Sequence, residues 1–170
     1  IINSSQTFNS FKKFLIKDKK NFFDNYKDNK LLKQYGIENI MILASLVEKE
    51  AKNKFDKKLI SSVIFNRINA KMKLQIDATV IASITHGFKK LNRPLTYSDL
   101  KINDPLNTYI IKGIPKEMIS YVGKNTLEIL LENHKSDFLF YFYNIIEKKH
   151  IFSKNYNEHK KKLNEYRKKK

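Results

Sequence analysis

Met41 to Ala51 reads MILASLVEKEA, and the way this stretch folds decides the reading of the rest of the chain. At about 100° per residue, Leu43, Leu46, Val47, Glu50 and Ala51 fall on one face of a helix. Glu50 therefore sits inside an apolar stripe. Glu48 is rotated about 200° from it and falls on the flank beside Met41. A carboxyl held among Leu and Val side chains loses water, which penalises its charged form and raises its pKa toward that of a general acid near neutral pH. Glu50 is the candidate acid. The competing reading is an ion pair, because Lys54 projects within about 40° of Glu50 and structural pairs also perturb carboxylates.

Working outward, the chain before this stretch offers Ser4, Ser5 and Thr7 as caps for a helix whose Phe11, Phe14, Leu15, Phe22 and Phe23 are expected in the core. Tyr35-Gly36 reads as a helix end, with the central helix starting near Glu38 or Asn39 and fading over Lys52 to Asp56. A second helix follows over Lys58 to Asn69, its Leu59, Ile60, Val63, Ile64 and Ile68 at 3,4 spacing. Arg67 near its end suits that helix's own exposed carbonyls. Asn66 has no such structural explanation.

Lys73 to Asp77 alternates polar and apolar, which predicts a short extended segment with Gln75 and Asp77 on one side and Thr79 continuing it. Asp77 equally suits the N-cap of the helix carrying Val80, Ile81 and Ile84. Polar loops with every proline of the chain then occupy the middle, where helices would leave a cleft to be lined. Asn125 to Asn133 reads as a short helix, and Asp137 to Tyr143 and His150 to Ser153 as two strands. His150 is either a rim residue or a strand end. Residues 155–170 read as a basic tail forming a solvated helix that frays. The architecture expected is α+β, a helical first half carrying Glu50 and a small antiparallel sheet in the second.

The chain has 170 residues, enough for one domain with a genuine core over 1–170, and no cysteine. Its formal charge of +17 would suggest an anionic partner. Yet the only arginines are Arg67, Arg93 and Arg167, and specific phosphate recognition favours the arginine fork, so nucleic acid is not the expected partner. No stretch approaches the ~20 apolar residues of a membrane span. Gly-rich phosphate loops and metal-ligand spacings are absent, and no cofactor or metal is expected.

Several motifs in register carry a resemblance: Ala44 to Glu50 (ASLVEKE), Phe65-Asn66-Arg67-Ile68, Met72 to Ile81 (MKLQIDATVI), Leu95 to Leu100 (LTYSDL), Asn107-Thr108-Tyr109, Gly113-Ile114-Pro115, Phe138 to Phe142 (FLFYF) and His150 to Ser153 (HIFS). Together they resemble endolytic murein transglycosylases of the YceG-like family. The resemblance implies a lytic transglycosylase that cuts the β-1,4 bond between MurNAc and GlcNAc in nascent peptidoglycan and leaves a 1,6-anhydroMurNAc end. It places the family's catalytic glutamate on Glu50, in agreement with the helix-face argument. Asn66, Gln75, Asp77, Thr79, Asn107 and Tyr109 are the candidates for positioning sugars, since amides and hydroxyls suit neutral hydrogen-bonding partners.

The family is anchored in the inner membrane with its catalytic part outside, carries a LysM-like region and works beside peptidoglycan synthases. The anchor and that region are not in this sequence. The chain departs from the family pattern at Val122, where a proline is usual before the glycine, and over Ile145 to Lys149, where a Gly-rich turn is usual. Two other classes compete. A muramidase-type hydrolase would pair Glu50 with Asp77 or Glu48. A non-enzymatic basic module would bind an acidic polymer with strong salt dependence and release no products.

Overall fold

The structure, a computed structural model, describes residues 8–169. The expected caps Ser4, Ser5 and Thr7 lie outside the described residues. Six helices and one hairpin follow in order: α1 (Phe8–Asp24), α2 (Lys30–Glu50), α3 (Lys54–Asn69), α4 (Asp77–Thr85), α5 (Lys124–Leu131), β1 (Phe140–Asn144), β2 (Lys149–Ser153) and α6 (Tyr156–Lys169). A single 3-10 turn at Asp99–Lys101 sits in the middle loops. The α+β expectation holds, with the sheet a two-stranded antiparallel hairpin near the C-terminus.

The axis of the molecule is α2. From Ile42 to Val47 every residue is buried, along with Ile40. A helix apolar all round needs neighbours on all sides, and α3, α4 and α5 supply them. Each buried Leu or Ile there contributes roughly 1.5–3 kcal/mol.

Gly36 does interrupt the helix, with φ 75° and ψ 165°, but a further turn precedes it from Lys30. Asn29 caps that turn by accepting from Leu31 N at 2.9 Å and Leu32 N at 3.2 Å. It also donates to Leu131 O at 2.9 Å, tying α2 to the end of α5. At its other end α2 stops sharply, because Ala51 is extended (φ −139°, ψ 146°). Glu50 is thus the last helical residue. Asn53 then caps α3, accepting from Asp56 N at 2.8 Å, so α3 starts at Lys54 rather than Lys58.

One packing expectation fails. Phe23 is buried, but Phe14 and Leu15 stand about half exposed on α1, because only the last turns of that helix reach the core. The C-terminal stretch forms a helix, α6, with no buried residue, and it lies against the hairpin. His159 packs against Phe140 and Phe142, and Tyr166 against Phe142, while Lys162 Nζ donates to Phe152 O at 2.8 Å.

The hairpin sorts its residues by alternation. Phe140 and Phe142 face α6; Tyr141 pairs with Phe152 and Tyr143 with His150 on the opposite face. Lys148, with φ 52°, occupies a left-handed turn position that glycine fills more easily. No helix among the described residues is long and apolar enough to cross a membrane.

Candidate active site

Glu50 lies on the floor of a cleft of about 810 Å³, walled by the 74–77 loop, Tyr109 and the inner face of the hairpin. Its Oε2 accepts a hydrogen bond from the Tyr141 hydroxyl at 2.9 Å. Burial pushes the Glu50 carboxyl above its ordinary pKa of 4.5; the Tyr141 hydrogen bond opposes that, nearby Asp77 adds to it, and His150 opposes it. The negative end of the α2 dipole acts in the same direction as burial. Lys54, the proposed ion-pair partner, instead opens α3.

Glu48 has the opposite fate. Its carboxylate pairs with Lys57 Nζ at 3.0 Å, accepts from the Thr126 hydroxyl and takes a long bond from Gly123 N at 3.4 Å. Burial pushes its pKa up, but Thr126, Lys57 and Gly123 together pull harder and hold it below the usual range. Glu48 does not line the cleft; it bolts α2 to α3 and α5.

The 74–76 loop is zipped to the Asn107-Thr108-Tyr109 loop. Gln75 N donates to Thr108 O at 3.1 Å, and Ile76 N to Thr108 Oγ1 at 2.9 Å. Thr79 and Thr108 share a hydroxyl bond at 2.9 Å. This zipper brings Tyr109 over the start of α4, where its hydroxyl donates to Asp77 Oδ1 at 2.6 Å. Burial and that carboxylate push the Tyr109 phenol well above its ordinary pKa. Asp77 is the first residue of α4, not its cap, which is Ile76 without a side-chain bond. The extended reading of Lys73 to Asp77 also gives way, since Gln75 takes a left-handed φ of 53°.

Of the residues singled out for sugars, the fold brings Gln75, Asp77 and Tyr109 to the cleft with Glu50. It does not bring Asn66, Thr79 and Asn107 to the cleft lining; their bonding capacity is turned inward. Asn66 Nδ2 donates to Ser136 O at 2.7 Å and Phe138 O at 2.9 Å. Thr79 is fully buried, donating to Ile76 O at 2.6 Å. Asn107, also fully buried, donates to Leu100 O and Ile102 O and accepts from Tyr109 N.

Arg67, Tyr141 and His150 also line the cleft. Arg67 does bind carbonyls, but those of other segments: Leu139 O at 2.6 Å, Leu74 O at 2.7 Å and Lys73 O at 3.1 Å. Its guanidinium lies 5.1 Å from the Phe140 ring centroid. Tyr141 comes from a strand whose alternation was legible but whose facing partner was not. His150 lies near the start of β2 and also lines the cleft, its side chain nearly buried, its Nδ1 2.7 Å from Asp56 Oδ2 and its ring against Tyr141 and Tyr143. An Asp at a helix start and a His at a strand start, far apart in sequence, gave no signal that they meet.

The sequence pattern that defines the YceG-like family matches residues 2–165. The chain belongs to the YceG-like family. It is 32% identical over 154 residues to a Bacillus subtilis protein named endolytic murein transglycosylase, covering 91% of this chain and 41% of that protein. A Streptococcus pneumoniae protein of the same name is 27% identical over 139 residues, covering 79% and 24%. The crystal structure of a YceG-like protein from Listeria monocytogenes superposes with a TM-score of 0.80 at 30% identity, covering 95% of this chain and 51% of that one. This YceG-like chain therefore spans less than half the length of the curated relatives it matches.

Proposed function

We propose that this chain is the catalytic part of an endolytic lytic transglycosylase, cutting the β-1,4 bond between MurNAc and GlcNAc and leaving a 1,6-anhydroMurNAc end. The observation that carries the reading is Glu50: a cleft-floor carboxyl with a raised pKa, held at one oxygen by Tyr141. Glu50 enters protonated and gives its proton to the glycosidic oxygen as the bond from the muramic C1 breaks. The substrate's own N-acetyl carbonyl oxygen bonds to C1 and shares the developing positive charge. Glu50, now a carboxylate, takes the proton of the muramic 6-hydroxyl, whose oxygen displaces the N-acetyl group and closes the anhydro ring. The proton lost is regained, and water takes no part in the balance. One carboxyl serves as acid and then base.

Tyr141 is a positioning residue in this reading, fixing the carboxyl's rotamer so that its other oxygen faces the cleft. Gln75, Asp77 and Tyr109 meet the sugars. Thr79 and Asn107 act from behind, holding the loops that present those three, while Asn66 holds the segment that leads into β1 and Tyr141. For the longer protein, the resemblance extends the proposal to an inner-membrane setting with the catalytic part outside and a peptidoglycan synthase beside it. The hydrolase alternative survives through Asp77, which lines the same cleft. Glu48 is committed to Lys57 and Thr126 and is poorly placed to be its second carboxylate.

Mass spectrometry of uncrosslinked nascent peptidoglycan after incubation tests the reading. Internal fragments with anhydro ends are expected from the parent chain and at least about a hundred-fold less from Glu50→Gln, the usual scale for losing general acid–base catalysis. Reducing ends would replace the transglycosylase with a hydrolase. A Glu50→Gln variant that cleaves at the parent's rate removes Glu50 from the mechanism.

A further inference from the structure

Alongside α4 runs a second groove of about 960 Å³, lined on one side by α4 with the 87–91 loop and on the other by residues 118–121. Lys49 lines both this groove and the Glu50 cleft, and the consecutive residues Asp77 and Ala78 line one each. The two spaces are therefore neighbours along the top of α2 and α4. Three lysines, Lys49, Lys89 and Lys90, line the groove, and no carboxylate does.

Two aromatic rings stand almost fully in solvent here: Phe88 is 92% exposed and Tyr121 97%. Single exposed apolar side chains need no explanation. These two, however, come one from each of the segments that line a single groove, and local hydrogen bonds hold both segments. His86 (φ 49°) and Gly87 (φ 75°) turn the chain off α4 through successive left-handed residues. Phe88 N donates to Thr85 O at 3.0 Å and Gly87 N to Thr85 Oγ1 at 3.3 Å, which fixes that turn. On the other side, Ile119 N donates to Ser45 Oγ and Ser120 Oγ to Ser45 O, each at 3.1 Å, pinning Tyr121's segment to buried α2.

A ring on a pinned backbone costs little further ordering when a flat apolar partner covers it. The carbon face of a pyranose is such a partner. Ammonium groups beside it complement carboxylates of the kind carried by muramic stem peptides. We propose that this groove holds the glycan strand beyond one side of the scissile bond, Phe88 and Tyr121 stacking on sugar faces while Lys89 and Lys90 meet stem-peptide carboxylates. The proposal rests on the reading of the Glu50 cleft given above. An internal cut leaves polymer on both sides of the acid, and α4 gives about 13 Å of wall for one of them.

The test measures binding of long uncrosslinked glycan strands to the Glu50→Gln chain, with and without Phe88→Ala and Tyr121→Ala together, and the kinetics of the same pair of substitutions in the active chain. Binding is read apart from cleavage, so a parent chain that releases no anhydro ends sinks the reaction and leaves the groove under test. The expected result is about a ten-fold loss of long-strand affinity, the scale of one or two aromatic contacts. KM on long strands rises more than kcat falls, and the preference for long over short oligomers shrinks. With Lys89→Gln and Lys90→Gln, affinity falls for strands bearing stems, and the loss disappears once an amidase has stripped them. Unchanged long-strand affinity in the aromatic double variant, or no long-strand binding by the Glu50→Gln chain, overturns the groove. An equal loss on stripped strands overturns the part given to the lysines.

Discussion

Glu50 is maintained against its own electrostatics. Burial at the end of α2 and neighbouring Asp77 disfavour its charge, and only Tyr141 and His150 act the other way. The folded pKa lies above the unfolded one, so between the two the folded state binds more protons and stability falls as pH rises. The cost is fully present only above the folded pKa. Glu50→Gln should therefore melt higher than the parent on the alkaline side of that pKa, with the two converging below the unfolded pKa, where the carboxyl is protonated in both states. Thermal denaturation across pH checks this, and a melting difference that does not grow as pH rises contradicts it. Tyr141→Phe removes a donor that favours the carboxylate. The falling alkaline limb of kcat/KM should then move to higher pH, because one hydrogen bond that favours the carboxylate is lost. A downward move would mean that the hydroxyl was not supporting the carboxylate. Glu50 was legible because apolar spacing exposes an ionisable intruder within one helix. Tyr141, 91 residues away, leaves no mark of its facing partner at that range.

At the scale of elements, the cleft is assembled by side chains that bridge segments. Arg67 on α3 holds carbonyls of the 73–74 loop and of Leu139 just before β1. Burial pushes its pKa down, so the guanidinium stays charged there at a desolvation cost. Arg67→Met should leave those carbonyls without their donor and cost about 3 kcal/mol, read from the urea midpoint. A cost below about 1 kcal/mol would mean that water replaces the guanidinium freely. Asn66 beside it explains why the sequence invited a sugar-binding reading. A polar side chain on a helix with no local task is either functional or holding something remote, and its carbonyl partners at Ser136 and Phe138 lie some 70 residues on. Helix positions followed from spacing, and caps at Asn29 and Asn53 refined them. The left-handed Gln75 broke the strand pattern because the Thr108 zipper, a contact between distant loops, outweighs local alternation.

Across the whole molecule, everything is arranged around one helix buried on nearly all sides, with α1 and the hairpin at its margins. Amides of residues 40–47 should exchange only through global unfolding, whereas those in the first turns of α1, where Phe14, Leu15 and Ile16 stand exposed, should exchange orders of magnitude faster. Hydrogen exchange read by mass spectrometry checks this, and equal protection in both would show that α1 belongs to the same cooperative unit. The order of helices before strands, the central helix, the break at Gly36 and the anomalous Glu50 all followed from the sequence, because period, caps and glycine act over a few residues. Tertiary structure alone decided which polar residues face the cleft, because a hydroxyl or amide looks the same in sequence whether its partner is a sugar or a carbonyl. Thr79 and Asn107 turned inward, Gln75 and Tyr109 toward the cleft, and His150 into the cleft wall, each according to what the folded chain brought within hydrogen-bond reach.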